Sequence, residues 1–276
     1  MIHTHNALRL GDNLVQLNFL RRLCLQNPDI EITHYHNPEL CKFEEIDALR
    51  SDISLRLRIR PISEAPADSI DSWRNVGGYW ERHPDKLNFA KFHLCWFEEL
   101  ASRMCVKNPI QKLDDLLFDY PALDSFIQMA PDFDVVVINS PGLSGQFTNF
   151  NPDDFRNLVS KLVSKGHRVI STVDTGLCPA FDGKNVTWIG ATAAKAKLIV
   201  GTSTGPSWPC FNVHNRAALH VMCADVENVV LTPHIAGSIG GEIARMGYWM
   251  KDELDLYLAG KPLQHGVSQD MLACMA

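Results

Sequence analysis

Apolar and polar positions near the start of the chain switch from a strand period to a helix period and back. Residues 2–6, IHTHN, alternate and predict a first strand, followed by a turn at Gly11. From Asp12 onward Leu14, Val15, Leu17, Phe19, Leu20 and Leu23 recur at helical spacing. That predicts an amphipathic helix with Asp12 at its N-cap, ending before Pro28. Ile30 to Tyr35 alternates into a second strand, Glu39 to Arg50 has a helical pattern, and Ile53 to Ile59 reads as a third strand. Strand–helix–strand alternation with crossovers predicts a parallel α/β sheet. After a loop rich in aromatics and glycine, SWRNVGGYWERHP, the stretch Leu87 to Met104 carries Phe89, Phe92, Trp96, Phe97 and Leu100 at helical spacing, a core-facing stripe.

The pattern weakens between residues 106 and 133, where Pro109, Pro121 and Pro131 fall, and a domain boundary is expected there. It divides the chain into residues 1–118 and 134–276. A second α/β series follows. Val135 to Ile138 is a buried strand ending in NSPGLSG. Asp153 to Lys165 is a helix with Gly166 at its C′ position. Arg168 to Thr172, Val186 to Ile189, Leu198 to Val200 and Val229 to Leu231 read as strands. A last helix, about Ile239 to Leu258, sets Ile243, Met246, Met250, Leu254 and Tyr257 on one stripe. It is expected to cross back to the first domain. The fold class is α/β, with two Rossmann-like domains facing a cleft at the carboxyl ends of their strands.

One segment carries the most chemistry. In AKLIVGTSTGPSWP a short apolar run is followed by Thr202, Ser203, Thr204 and Gly205, and then by Pro206 where a first helical residue would sit. A strand, a small polar loop and a helix N-terminus suit an anion such as a phosphate. The alternative is a plain β–α turn whose hydroxyl caps the next helix.

Composition narrows the classes. A net charge of −6 with no cluster of Lys and Arg disfavours a nucleic-acid partner. No apolar run reaches the roughly 20 residues of a membrane helix, and no signal peptide is seen, so a cytoplasmic protein is expected. The eight cysteines form no CxxC pair, which fits free thiols in a reducing compartment. His3, His5, His34 and His36 fall in HTH and HYH near strand ends, but zinc needs three or four converging ligands, so no metal site is expected.

RLGDNLVQLNFLRRL resembles the first loop and helix of heptosyltransferase-type glycosyltransferases, which have the two-domain GT-B fold. INSPG with NPDDFRNLVSKLVSKGHRVI is similar to the opening of that family's second domain, and LIVGTSTGP to its donor-binding strand and loop. The resemblance spans residues 1 to about 215 and implies transfer of a sugar from a nucleotide-sugar donor to a hydroxyl acceptor. Asp12 would deprotonate the acceptor; the alternative for Asp12 is a helix cap, whose carboxylate would have a lowered pKa. Gly11, Thr202, Ser203, Thr204, Gly205 and Trp208 would lie at the donor, with Trp208 stacking on a base or sugar or simply packing. Trp73, Arg74, Tyr79, Trp80, Arg82 and His83 would form an acceptor-facing wall or cover a core edge. No cofactor beyond the donor is implied. The family often has an acidic residue where Ser203 stands and a His where Trp208 stands. Those departures favour a second possibility, a GT-B-like binding protein without catalysis.

The tail resembles something else. NVVLTPHIAGS and RMGYWMKDELDLYLAGKPL are similar to the C-terminal end of D-2-hydroxyacid dehydrogenases, over residues 217–276. In that family the His of PHIAG, here His234, is the acid/base of an NAD-dependent hydride transfer. A dinucleotide fold should supply G-x-G-x-x-G after a strand, and this chain has no G-x-G at all. His234 then reads as a loop histidine.

Overall fold

The computed structural model describes residues 1–73, 89–142, 150–181, 185–216, 218–224, 229–231 and 252–262. Two sheets organise them. The first has β1 (Ile2–Asn6), β2 (Ile32–His36), β3 (Leu57–Pro61) and β4 (Ile70–Asp71) in the order β3-β2-β1-β4, all parallel. The second has β5 (Val135–Ile138), β6 (Val169–Ser171), β7 (Leu198–Thr202), β8 (Leu219–Ala224) and β9 (Val229–Leu231) in the order β6-β5-β7-β8-β9. It is parallel except for β9, which runs antiparallel to β8.

Both sheets reverse their strand order at an inner strand. The first sheet builds from β1 through β2 to β3 and then places β4 on the other side of β1. The second runs from β5 to β6 and returns to place β7 on the other side of β5. Such reversals open a crevice at the carboxyl ends of the two diverging strands. One crevice therefore lies at Asn6 and Asp71, the other at Ile138 and Thr202. Gly201 allows the second pair to close up: its φ is +149°, and a Cβ there would sit 2.0 Å from the Ile138 carbonyl oxygen.

Helix α1 (Leu10–Gln26) joins the halves. Leu14, Leu17, Phe19, Leu20 and Leu23 are fully buried, but so are Asn13 and Gln16, with Asn18 and Arg21 nearly so. The helix is covered on all sides, because the second half packs where solvent would lie. One continuous core runs from α1 through Ile32 and Leu57 to Val136, Ile138, Ile189 and Ile199. Residues 116–119 strap the halves together. Their carbonyls accept from Asn18 Nδ2 (2.9 Å), Arg22 Nη2 (2.8 Å) and Arg21 Nε (3.1 Å) of α1. The backbone of Phe118 meanwhile pairs with Phe211 and Val213 in the second half.

The remaining elements depart from the sequence expectations in places. Arg9, not Asp12, is the N-cap of α1. The expected helix Glu39 to Arg50 is a single turn, α2 (Phe43–Ile46), continued by a 3-10 segment Asp47–Ile53, so the third strand starts only at Leu57. The expected strand Val186 to Ile189 is helix α6 (Val186–Ala193), which follows α3 (Phe89–Arg103), α4 (Pro121–Met129) and α5 (Pro152–Ser164). Asn185 caps α6 by accepting from the Trp188 N–H. Pro206 opens no α-helix but a six-residue 3-10 turn, Gly205–Cys210. Of the predicted last helix, residues 252–258 are described, and Leu254 and Tyr257 pack against the core of the second sheet. Ile243, Met246 and Met250 lie outside the described residues. Among the described residues no helix is long and apolar enough to cross a membrane.

Candidate functional site

The first crevice holds Asp12. With Arg9 as N-cap, Asp12 occupies the N3 position, in the first turn of α1. Burial dominates its titration: desolvation pushes the Asp12 carboxyl up to about 6, against the smaller lowering effects of the nearby backbone and of the Arg9 charge. A capping carboxylate was expected to have a lowered pKa. The structure shifts it the other way, because Asp12 is not the N-cap and burial of its carboxyl outweighs the lowering effects.

The second crevice holds Thr202 to Gly205. Thr202 is the last residue of β7, almost fully buried, and its hydroxyl donates to the Ser140 carbonyl at 2.8 Å. It ties the end of β7 to the end of β5 rather than pointing outward. Thr204 is extended and caps the 3-10 turn without its side chain, while the Ser207 N–H and hydroxyl both bond the Thr204 carbonyl (2.9 and 2.7 Å). Ser203, Thr204 and Gly205 are partly exposed.

The first turn of α1 touches the turn that follows β7. A Cβ on Gly11 would lie 3.1 Å from Trp208 Nε1 and 3.6 Å from the Gly205 Cα. A Cβ on Gly205 would lie 2.9 Å from two carbons of Leu10. Trp208 is held by His93 of α3 (ring centroids 5.5 Å apart) and by Phe211 (6.2 Å). Trp73 stands at the end of β4, edge-on to Trp96 at 4.8 Å, and Trp96 Nε1 donates to the Ser72 carbonyl. Gly11, Gly205 and Trp208 thus meet at one junction; Asp12 follows Gly11 in α1, Thr202 to Thr204 lead into Gly205, and Trp73 stands against Trp96. Arg74, Tyr79, Trp80, Arg82, His83 and His234 lie outside the described residues. Among the described residues nothing adds to the dehydrogenase resemblance.

Two features have no local signature in the sequence. Beside the second crevice an open cavity of about 650 Å³ lies at the end of β6, lined by Thr172, Val173, Asp174, Cys178 and Phe181 among others. Thr172 Oγ1 accepts from the Asn139 N–H (2.9 Å) and from the Ser140 hydroxyl (2.8 Å), coupling that rim to the end of β5. The other feature is a pair of buried polar chains between β1 and α1, Thr4–His34–Asn13 and Asn6–Gln16–Ser72. Three of the four histidines noted for metal bond local partners, His3 with Tyr35, His5 with Ser69, and His34 with Thr4 and Asn13, while the buried His36 Nδ1 has no hydrogen-bond partner among the described residues.

No family model and no curated protein matches the sequence. Solved structures do resemble it. The E. coli heptosyltransferase WaaC with ADP matches at a TM-score of 0.56 and 12% identity, covering 94% of this chain and 98% of that one. The same enzyme with ADP-2-deoxy-2-fluoro heptose matches at 0.51 and 13%, covering 87% and 90%. The dodecameric iron-containing heptosyltransferase TibC, in complex with ADP-D-β-D-heptose, matches at 0.53 and 15%, covering 94% of this chain and 76% of that one. At these identities the likeness establishes the fold: this chain has the fold of the heptosyltransferases.

Proposed function

We propose that the protein is a glycosyltransferase with two Rossmann-like domains, residues 1–118 and 134–276, in a GT-B arrangement. It would move a sugar from a nucleotide-sugar donor to a hydroxyl acceptor. The observation that carries this reading is Asp12: a carboxylate in the first turn of α1, desolvated to about 6, one residue from Gly11, which meets Gly205 and Trp208 after β7. At neutral pH such a group is mostly ionised yet basic enough to take a proton from a hydroxyl.

In the reaction the acceptor oxygen attacks the sugar's anomeric carbon, the carbon–oxygen bond to the diphosphate breaks, and the acceptor proton passes to Asp12. The hydroxyls of Ser203 and Thr204 and the backbone N–H groups of Ser203 and Gly205 would hold the leaving diphosphate, the Thr204 N–H being bonded to the Thr202 carbonyl, while Gly11 keeps the approach narrow. The cavity at the end of β6 is large enough for the nucleoside part. The fold match to heptosyltransferase structures solved with ADP and ADP-sugars supports this class of donor.

The test is a melting-temperature screen with ADP-, UDP- and GDP-sugars and, separately, NADH. A ligand at 100 times its Kd stabilises the native state by about 2.7 kcal/mol, which is readily seen. A nucleotide-sugar shift together with acceptor-dependent release of nucleoside diphosphate is expected. Stabilisation by NADH alone would replace this reading with the dehydrogenase one. Binding of a nucleotide sugar without turnover would leave a binding protein.

A further inference from the structure

The strap of residues 116–119, which carries the chain from the first half toward the second, is bonded on both of its sides. Toward α1, the carbonyls of Leu116, Leu117 and Asp119 accept from Asn18, Arg22 and Arg21. Toward the second half, the Phe118 N–H donates to the Phe211 carbonyl at 2.7 Å, and the Phe118 carbonyl accepts from the Val213 N–H at 3.2 Å. Both anchorages are tied down in turn. Arg21, almost fully buried, also holds the Leu49 carbonyl and the Asp52 carboxylate. Asn212, which faces Phe118 across this pairing, is fully buried, and its Nδ2 donates to the carbonyls of Gly190 on α6 and of Pro209. A hinge absorbs its rotation in a few residues whose backbone is free to turn. In this strap every carbonyl is already taken.

We infer that residues 116–119 are a splint rather than a hinge, and that the two halves move as one body. Rotation about a hinge leaves only its axis in place, so every contact away from the axis must break. The strap meets α1 between Asn18 and Arg22. At the start of the same helix Gly11 meets Trp208 and Leu10 meets Gly205, about 15 Å away at 1.5 Å per residue. An axis through these two contacts runs along α1 and misses a third. Glu45 of α2 accepts from the Val186 N–H at 2.9 Å, in the first turn of α6. Parting the halves would also cut the one apolar core that runs from Leu14 and Leu20 to Val136, Ile138 and Ile199. The ends of the two sheets therefore stand at a fixed separation before any ligand arrives. A ligand enters from the rim, where the cavity at the end of β6 is already open.

The inference concerns the free protein and stands whether or not the transferase reading does, so its test needs no ligand. Native-state hydrogen exchange is followed by NMR in labelled full-length protein at rising, sub-denaturing urea. The Phe118 and Val213 amides report on the second-half side of the strap, the Arg21 Nε–H on its α1 side, and the Val186 amide on the Glu45 contact. The amides of His34 and Val136, on inner strands of the two sheets, are the references. If the halves are one body, all four reporters exchange only when the references do, with protection within about threefold of theirs and the same urea dependence. A hinge would expose at least one reporter through an opening about 100-fold or more easier than that of the references, with little dependence on urea. That result overturns the inference. Asn18→Leu with Arg22→Met strips two of the three α1 bonds from the strap. In this variant the Arg21 Nε–H should lose about tenfold or more of its protection relative to Val136. Unchanged relative protection in the folded variant would mean that the apolar core alone holds the halves and that the strap is no splint.

Discussion

Gly11, in the first turn of α1, lies directly beneath the indole of Trp208: a Cβ there would come within 3.1 Å of Nε1 and 3.3 Å of Cδ1. The two halves meet through this pair. Alanine at position 11 should favour the helix by up to about 1 kcal/mol. The indole, however, is held between His93 and Phe211 and has little room to give. Gly11→Val should therefore destabilise by about 1–3 kcal/mol through overpacking. Trp208→Ala should be costly alone yet should cancel much of the Gly11→Val penalty. Urea denaturation of the two single variants and the double variant measures the coupling; simple additivity would mean that the contact does not hold the halves.

Asp12 makes two predictions of opposite sense. Its folded pKa, about 6, lies above the unfolded value near 3.8, so the native state holds more protons between those pH values. Stability from this group is present at low pH and is lost as pH rises through about 6. Asp12→Asn should then be more stable than wild type at pH 7, by about 1–2 kcal/mol, with the gain vanishing near pH 4. Transfer activity should fall about 10²–10⁴-fold in the same variant, and the wild-type rate should rise with pH along a limb centred near 6. A gain in stability at the expense of turnover is the signature of a functional carboxylate; a loss of stability without loss of turnover would mark a cap.

His34 works in the other direction. Burial holds its folded pKa far below the unfolded value of 6.5, so the unfolded chain takes up the extra proton. Stability is complete above about pH 6.5 and declines as pH falls below it. His36 and His220 are shifted the same way by burial and add to the decline. His34→Gln should flatten the melting-temperature profile between pH 7 and 5. An unchanged slope would assign the acid sensitivity to the other two histidines.

Strand positions were the most legible part of the sequence. Val135 to Ile138 and Leu198 to Val200 are apolar on both faces because helices cover both sides of their sheet, and so short a continuous apolar run between turn residues fits a buried strand best. Val186 to Ile189 misled for the same reason. Its β-branched residues suit a strand, but the following GATA is small enough to pack as a buried helix, and Gly190 meets the Pro209 backbone at 2.7 Å from where a Cβ would be. The Asn185 cap was the available signal. Asp12 was recognisable as chemistry but misplaced by a turn. The GD pair looks like a helix start, whereas the N-cap is Arg9. The Asn13–His34 link, 21 residues apart, and the bond from the Val186 N–H to Glu45, 141 residues apart, exist only after folding. No local pattern announces them.

Arg21 should be the most sensitive cation of α1. It is almost fully buried, pairs through both terminal nitrogens with Asp52 (2.5 and 2.9 Å), and donates to the Leu49 and Asp119 carbonyls. Arg21→Met should cost about 3 kcal/mol or more, since the carboxylate and both carbonyls lose their donor. Arg21→Lys should recover little, because an ammonium cannot span the fork and the strap together. Adding Asp52→Leu to Arg21→Met should restore part of the loss. Chemical denaturation reads each value, and an equal cost for Arg21→Met and for the double variant would show that the stranded Asp52 carboxylate contributes nothing to it.

Gly205 lets a structural role be separated from a ligand role. A Cβ at this position would sit 2.9 Å from Leu10 Cδ2 and Cγ and 3.1 Å from its Cβ, so Gly205→Ala must push Leu10 aside. The tip of leucine can rotate, but its Cβ moves only with the helix, so a loss of about 1–2 kcal/mol is expected. Leu10→Ala removes both crowded tip carbons and should rescue the melting temperature of Gly205→Ala. Rescue of folding need not rescue binding. If the 203–205 backbone approaches a donor diphosphate, the added methyl group still stands at that surface in the Leu10→Ala, Gly205→Ala protein. Its affinity for the nucleotide sugar should then remain at least about tenfold weaker than that of Leu10→Ala alone. Equal affinities in the two proteins would leave the loop as a packing element, and the donor would have to be held elsewhere along the second sheet.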